Sequence, residues 1–528
     1  MDIGVTADIL VIGGGLGGCV AALAAAKSGL RVILTEETDW LGGQLTSQAV
    51  PPDEHPWIES TGCTRTYREF RERVRRYYRE NYPMKEEVLR NDRLNPGNGW
   101  VSRLCHEPKV ALRIIEDMLA PYVSSGRIVT LMEHKPIDAV VAGDFVKSVT
   151  VSHTATGKEL TIEAACFLDA TECGDLLPIA GIEYVTGAES RADTGEPHAP
   201  EQSDPDDIQS ITHVFALDYL EGQDFTIEKP QQYDFWRSFV PGFSNNPLLS
   251  WTIPDVNATD RMREIAFMPN GTDPMPLWTY RRIVDASLFA EGFYESDITL
   301  VNWSQNDYFL GPVYNVPEEE RRRHLEGARQ LSLSLVYWLQ TEAPRPDGGK
   351  GYPGIRLRKD VLGTEDGLAK HPYIRESRRI KAIQTVTEND VSRTIRGEQG
   401  IRHYKDSVGV GSYHLDLHPT TRTNRMWYIP SYPYEIPLGA LLPVRIKNVL
   451  PACKNIGTTQ ISNGCYRMHP TEWNIGESAG YLAAYAVKQG ITPHRVREDA
   501  GHLQSFLELL EREGVQTHWP DDVLNNHG

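Results

Sequence analysis

The stretch ADILVIGGGLGGCVAALAAAKSGLRVILTEE, residues 7–37, decides the fold. Ile9–Ile12 reads as a buried parallel strand and Gly18–Lys27 as a small-residue helix. Leu30–Thr35 reads as a second strand, which ends in Glu36. Gly13, Gly15 and Gly18 form G-x-G-x-x-G, whose glycines permit a tight turn, admit a pyrophosphate to the backbone and let helix and strand pack closely. Amides at the helix N-terminus, aided by the helix dipole, suit phosphate groups. Glu36 lies about 20 residues past the fingerprint, where a carboxylate accepts hydrogen bonds from ribose hydroxyls. An acid there disfavours a 2′-phosphate and hence NADP. A glycine-rich turn without a ligand would not need both flanking strands and the terminal acid.

A chain of 528 residues is long enough for two or three domains with ample core. Its 40% hydrophobic and 24% charged residues are ordinary for a globular enzyme. A net charge of -18 argues against nucleic acid as a partner. The one dense basic run, Arg65–Glu80, is interleaved with glutamates and aromatics and predicts an amphipathic helix with a solvated charged face. No apolar stretch reaches membrane-span length, and the longest, Cys19–Ala26, belongs to the nucleotide fold. The fingerprint starts close to Met1, leaving no room for a signal peptide. The seven cysteines are few, odd in number and scattered, with no C-x-x-C. A reduced, cytoplasmic protein without the dithiol of a disulfide reductase is expected.

The fold class expected is α/β: a Rossmann-like dinucleotide domain made from both ends of the chain, with an inserted mixed α+β substrate domain. Residues 1–190 form its N-terminal part, with a turn-rich helical insertion at 51–104. A hairpin is expected from Phe145–Ser152 and Glu159–Ile162, then an apolar strand at Cys166–Ala170. The polar, proline-rich SRADTGEPHAPEQSDPDD (190–207) marks a boundary. Residues 191–440 hold Trp236, Trp251, Trp278, Trp303, Trp338 and Trp427 and form the substrate domain. Residues 441–490 complete the nucleotide domain, with a strand at Asn448–Cys453 and a helix at Trp473–Lys488. A helical tail, 491–528, contains the amphipathic helix Ala500–Glu513.

A nicotinamide enzyme would follow its acid with another βαβ unit. This chain has Trp40-Leu41-Gly42-Gly43-Gln44-Leu45-Thr46-Ser47 instead, and returns some 400 residues later with Asn474-Ile475-Gly476-Glu477-Ser478-Ala479-Gly480. Small residues opening a helix there would aim backbone amides at the N1/C2 carbonyl edge of a flavin. The competing reading is that Gly476 and Gly480 only permit tight helix packing. GVGSYH (409–414) lacks the third glycine and the helix of a second fingerprint.

At this point the chain resembles the bacterial FAD-dependent oxidoreductases of the glutathione-reductase-type superfamily. The resemblance rests on GGGLGG with Glu36, WLGGQLTS, FLDATECGDLLPIAG (167–181), NWSQNDY (302–308), RESRRI (375–380), DSVGVGSYHLDLH (406–418) and IGESAG (475–480). It implies FAD as cofactor. Gly13, Gly15, Gly18, Glu36, Gly42, Gly43 and Gln44 would hold its adenosine, pyrophosphate and ribityl regions. Asp169, Ala170 and Thr171 would close the strand beside it, and Gly476 and Ala479 would border the flavin ring. Covalent attachment is left open by the resemblance, with His55, Cys63 and Cys465 available.

The flavin supplies redox chemistry, so the protein must bind, orient and deprotonate the substrate. Period-two alternation in Gly411–His418 puts His414, Asp416 and His418 on one strand face. A histidine there can take a hydroxyl or amine proton, with Asp416 fixing its tautomer. A two-histidine, one-carboxylate metal site is the weaker reading, and no metal is expected. Arg467 and His469 form a second candidate pair, as anion binder and base, or as braces of the following helix. Arg375, Arg378 and Arg379 read as a carboxylate clamp or as a set paired internally with Glu376. Asn302, Trp303, Asn306 and Asp307 mix amides and aromatics as a sugar pocket does, although aromatics of a large domain are more often core. Cys173, without a partner thiol, reads as packing.

The expected activity is an FAD-dependent dehydrogenase or oxidase drawing hydride from a small polar substrate, with a sugar-like compound favoured by the aromatic middle domain, and passing electrons to oxygen, a quinone or a carrier protein. The alternatives are a flavin monooxygenase or halogenase-like enzyme, of which Trp251-Thr252-Ile253-Pro254 is a partial echo, and a non-catalytic FAD- or NAD-binding sensor. The substrate, electron acceptor and oligomeric state are not legible.

Overall fold

The computed structural model describes residues 5–255, 258–520 and 523. Its main sheet has five parallel strands in the order Ile128–Met132, Val32–Glu36, Val5–Ile12, Glu159–Asp169 and Val449–Pro451. Val32–Glu36 is buried throughout, as expected of a parallel strand covered on both faces.

The strand Glu159–Asp169 does two jobs. Its first half, Glu159–Glu163, pairs antiparallel with Ser148–Ser152, and its last residues, Phe167–Asp169, pair parallel with Val449–Pro451. The separate strands expected at Glu159–Ile162 and Cys166–Ala170 are therefore one continuous strand. The antiparallel hairpin His134–Ala142 with Phe145–His153 completes the sheet on that side. Residues 449–451 thus enter a sheet started by residues 5–12.

The helix Leu16–Lys27 is buried from Leu16 to Ala26 and lies against the long helix His469–Gln489. A Cβ added to Gly476 would lie 2.1 Å from the Gly17 carbonyl oxygen, and one added to Gly480 would lie 2.4 Å from that of Ala21. The two backbones therefore meet directly. The second helix opens at His469, five residues before the expected opening at Asn474. Gly476 and Ala479 consequently sit inside the helix, and Gly476 serves close packing against Gly17, not a helix mouth.

The helix Arg65–Asn81 buries Tyr67, Phe70, Val74 and Tyr78, a three-to-four-residue stripe. Its charged face is not all solvated, which corrects the expectation. Arg71 and Arg75 are buried, Arg71 lies 2.8 Å from Glu54 and 2.7 Å from Glu59, and Arg75 lies 2.6 Å from Glu59.

Between residues 200 and 440 the chain builds small antiparallel sheets around the helix Glu318–Thr341. One sheet runs Arg282–Val284, Ile298–Val301, Phe215–Tyr219, Ile355–Leu357, and another Asp307–Tyr308, Ile211–Thr212, Tyr373–Ile374. Trp236, Trp278, Trp303 and Trp338 join one aromatic core there. The amphipathic helix Ala500–Glu513 lies where the sequence puts it, while residues 521–522 and 524–528 of the expected tail fall outside the described residues. No helix among the described residues is long and apolar enough to cross a membrane, and all seven cysteines are unpaired and buried.

Candidate functional site

Two cavities frame the candidate site. The first is lined by Gly13, Gly15, Glu36, Gly43, Ala170 and Thr171 among others. Gly13 has φ +99°, a left-handed backbone that side chains disfavour, and a Cβ there would lie 2.3 Å from the Ala170 carbonyl oxygen. The helix Leu16–Lys27 begins beyond Gly15 with no side-chain cap and no acid in its first turn, so its leading amides are available to an anion. Gly42 N–H donates to the Gly14 carbonyl at 2.8 Å, which folds WLGGQLTS against the fingerprint.

Glu36 accepts from Gly14 N at 2.9 Å and from Thr38 N and Oγ1 at 2.9 and 2.7 Å. A carboxylate has about four acceptor positions, so one is left for a hydroxyl. Burial pushes the Glu36 carboxyl up to about 7, against the Thr38 hydrogen bonds. Asp169 accepts from Thr171 N and Oγ1 at 3.0 and 2.7 Å, and burial pushes it to about 7 as well. Glu172 borders the cradle and is paired with the buried Lys454, which also approaches Glu472 at 3.6 Å. Gln44 Nε2 donates to Glu472 at 2.6 Å, while its buried Oε1 has no partner. A glycine-walled cradle, an open helix N-terminus, an acid at the second strand's end and an unpaired amide beyond fit the diphosphate, ribose and ribityl parts of FAD in order.

The second cavity is lined by Asp53, Arg281, Arg375, Asp416, His418 and Arg467, with Tyr280, Asn302, Trp303, Ser304, Tyr373 and Tyr413. It touches the cofactor turn through Arg467, whose carbonyl accepts from Gln44 Nε2 at 3.2 Å. Arg467 ends the helix Gln460–Tyr466, and its Nη2 donates to the Asp416 carbonyl at 3.0 Å and lies 3.3 Å from Oδ2. Asp416 lies on the short strand Leu415–Leu417, and His418 follows it.

His418 is held between two carboxylates. Its Nδ1 is 2.5 Å from Asp307 Oδ2, and its Nε2 is 3.5 Å from Asp416 Oδ2. Asp307 is itself bonded by Arg375 at 2.8 Å and Thr212 at 2.6 Å. Burial raises both aspartates, but Arg375 and His418 outweigh it at Asp307, as do His418 and Arg467 at Asp416; both carboxyls stay below their usual range. Nδ1 is committed to Asp307, so Nε2, 3.5 Å from Asp416 Oδ2, is the nitrogen that can exchange a proton with a ligand in the cavity.

The single strand face expected over Gly411–His418 is broken: one strand, Ser407–Gly411, ends at Gly411 and another, Leu415–Leu417, begins after a gap. His414 therefore leaves the shared face: its ring stacks on Tyr428 at 4.5 Å and does not line the cavity. His469 is buried, with Nδ1 accepting from Asp53 N at 3.0 Å, and burial pushes it down to about 4. It backs the wall and does not face the cavity. Arg378 and Arg379 are occupied by Asp175, Glu189 and Glu376, the internally paired arrangement. Asn306 folds its own turn, donating to the Val301 carbonyl at 3.2 Å.

His55, Cys63 and Cys465 are buried and line neither cavity. Cys173 is buried in the aromatic core. Asp53, Tyr280, Arg281 and Tyr373 lacked any motif, and only chain folding brings them to the cavity. Among the described residues one cluster has metal-ligand spacing: His403, Glu435 and His518, both rings placing Nδ1 within 2.8 Å of Glu435 Oε1. None of the three lines either cavity.

No curated protein matches the sequence significantly. Among solved structures, the chain is similar to L-proline dehydrogenase from P. horikoshii, at 17% identity over 35% of this chain and 24% of that one, with a TM-score of 0.17. It is similar to the myxobacterial chondrochloren halogenase at 17% identity over 42% and 46%, TM-score 0.23. A geranylgeranyl bacteriochlorophyll reductase-like protein from Thermoplasma acidophilum is 11% identical over 97% and 85%, TM-score 0.32. The chain thus spans under half the length of the first two. The profile of the FAD dependent oxidoreductases matches residues 8–507. The chain belongs to the FAD dependent oxidoreductase family, an enzyme family whose cofactor is FAD.

Proposed function

We propose that the enzyme is a dehydrogenase or oxidase of a small polar substrate, with FAD in the Gly13–Gly15 cradle and the substrate in the cavity around His418. The observation that carries this is the run of contacts Gln44–Arg467–Asp416–His418, which joins the cavity around His418 to the residue next to Gly43 in the cradle wall. Bound FAD supplies a two-electron acceptor. His418 Nε2 takes the proton from the substrate's hydroxyl or amine as carbon loses its hydrogen. Asp307 orients the ring, and the two ionised aspartates stabilise the imidazolium that forms.

In this reading residues 1–190 and 441–490 make one FAD domain, around the substrate domain 191–440, in the manner of the glutathione-reductase-type flavoproteins. The parallel pairing of Val449–Pro451 with Phe167–Asp169 supports it. The monooxygenase or halogenase reading draws on Trp251–Pro254, residues that line neither cavity.

The test is anaerobic flavin bleaching by a panel of alcohols, amines and hydroxy acids, after the flavin has been shown to leave the protein on acid precipitation. Bleaching without NADH supports the proposal; flavin reduction only by NADH, with halide- or oxygen-dependent product, would replace it with the alternative.

A further inference from the structure

Buried hydrogen-bonding groups almost always find partners, so a cluster that lacks them is informative. Arg281 Nε and Nη1, Arg375 Nε, Arg467 Nε and Trp303 Nε1 are buried donors without an acceptor, and all four residues line the His418 cavity. The arginines are 6%, 1% and 2% exposed, so solvent does not reach them from outside. On the acceptor side Asp53 Oδ1 stands alone; it lies 3.3 Å from Arg281 Nη2 without hydrogen-bond alignment. The surplus is therefore five donors against one acceptor. A neutral polyol, which brings a donor with each acceptor, does not correct that imbalance.

The charges point the same way. Each guanidinium meets one carboxylate: Arg281 with Asp53, Arg375 with Asp307, Arg467 with Asp416. The walls are neutral while His418 is neutral, and carry one surplus positive charge once His418 holds a proton. A single anionic group on the ligand balances that charge when the reaction needs it.

We propose that the substrate carries a carboxylate, received by the free guanidinium donors of Arg281, Arg375 and Arg467, which leaves the oxidisable centre facing His418. This rests on the assignment of the cavity to substrate. A carboxylate is acceptor-only and planar, which matches guanidinium donors in both respects. Arg281 has two free nitrogens and is the main anchor.

The test uses the purified holoenzyme and malonate, with malonamide as its neutral counterpart at constant ionic strength. The flavin absorbance spectrum and calorimetry read binding in parallel. Malonate is expected to bind saturably and malonamide at least tenfold more weakly. Arg281→Gln should weaken malonate at least tenfold at unchanged FAD content, with Arg281→Lys intermediate. Equal binding of the two compounds, no malonate binding, or loss of FAD in step with loss of malonate would overturn the proposal, the last by giving the arginines to the cofactor. A colourless preparation that still binds malonate by calorimetry would overturn the flavin placement and leave this inference standing.

Discussion

The cradle around Gly13 depends on backbone that leaves no room for a side chain at Gly13 and Gly43, whereas the cavity around His418 is walled by side chains from six separate stretches of chain, five of which contribute a charged group. The first needs residues that are absent: no Cβ at Gly13 or Gly17, no acid in the first helical turn. The second needs residues that are present and opposed, three arginines against three aspartates. Backbone geometry tolerates little change, because its clashes are with other backbone. A charged wall changes in steps, since each side chain can be removed without moving the chain.

That contrast is broken most severely at Gly17, where an added Cβ would lie 1.9 Å from the Ala452 carbonyl oxygen. Gly17→Val should destabilise by about 3 kcal/mol or more, giving little soluble protein and no bound FAD. A well-folded variant with full flavin content by absorbance would contradict direct backbone packing there. On the other side, His418→Ala should keep its FAD and slow stopped-flow flavin reduction by about 10²–10⁴, the range for a positioned base. Reduction at the parent rate would remove His418 from the chemistry.

Glu36 sharpens the comparison, because its carboxylate accepts from Gly14 N in the fingerprint turn. Its folded carboxyl titrates near 7 instead of 4.5, so the folded protein holds the proton more tightly than the unfolded chain. Its burial is therefore neutral below about pH 4.5, grows unfavourable as pH rises and levels off above 7, by roughly 3 kcal/mol in total. In the flavin-free protein, the stability of Glu36→Gln relative to the parent should rise across pH 5–8 in denaturant titrations. A pH-independent difference would mean that the carboxyl is not desolvated. The smallest effect is expected at His414, which stacks on Tyr428 outside the cavity. His414→Ala should leave flavin reduction within about twofold and cost about 0.5–1.5 kcal/mol of stability.

The same contrast governs what the sequence makes legible. The strand–turn–helix–strand of residues 7–37 is local, and its glycines announce a backbone function. The pairing of Arg379 with Glu376 is also foreseeable, because the two are near neighbours, whereas Arg378 finds Asp175 at a separation of 203 residues. Asp53 and Arg281 likewise meet across more than 200 residues, and no local pattern marks either. Two local patterns misled for identifiable reasons. Alternation through Gly411–His418 continues across a break in the strand and so predicts the wrong face for His414. The small residues of Asn474–Gly480 look like a helix opening, yet their smallness answers the approach of another helix.

The contact between Gly17 and Gly476 also sets an order of events during synthesis. The helix that carries Gly17 leaves the ribosome some 459 residues before its partner, at positions 17 and 476. At 5–20 residues per second that interval is roughly half a minute to a minute and a half. Throughout it the apolar face of Leu16–Lys27 and the free edge beside Phe167–Asp169 await residues not yet made. A chain stopped before position 449 would present an open, sticky sheet edge to chaperones, and one stopped before position 469 would leave the face of Leu16–Lys27 without its covering helix.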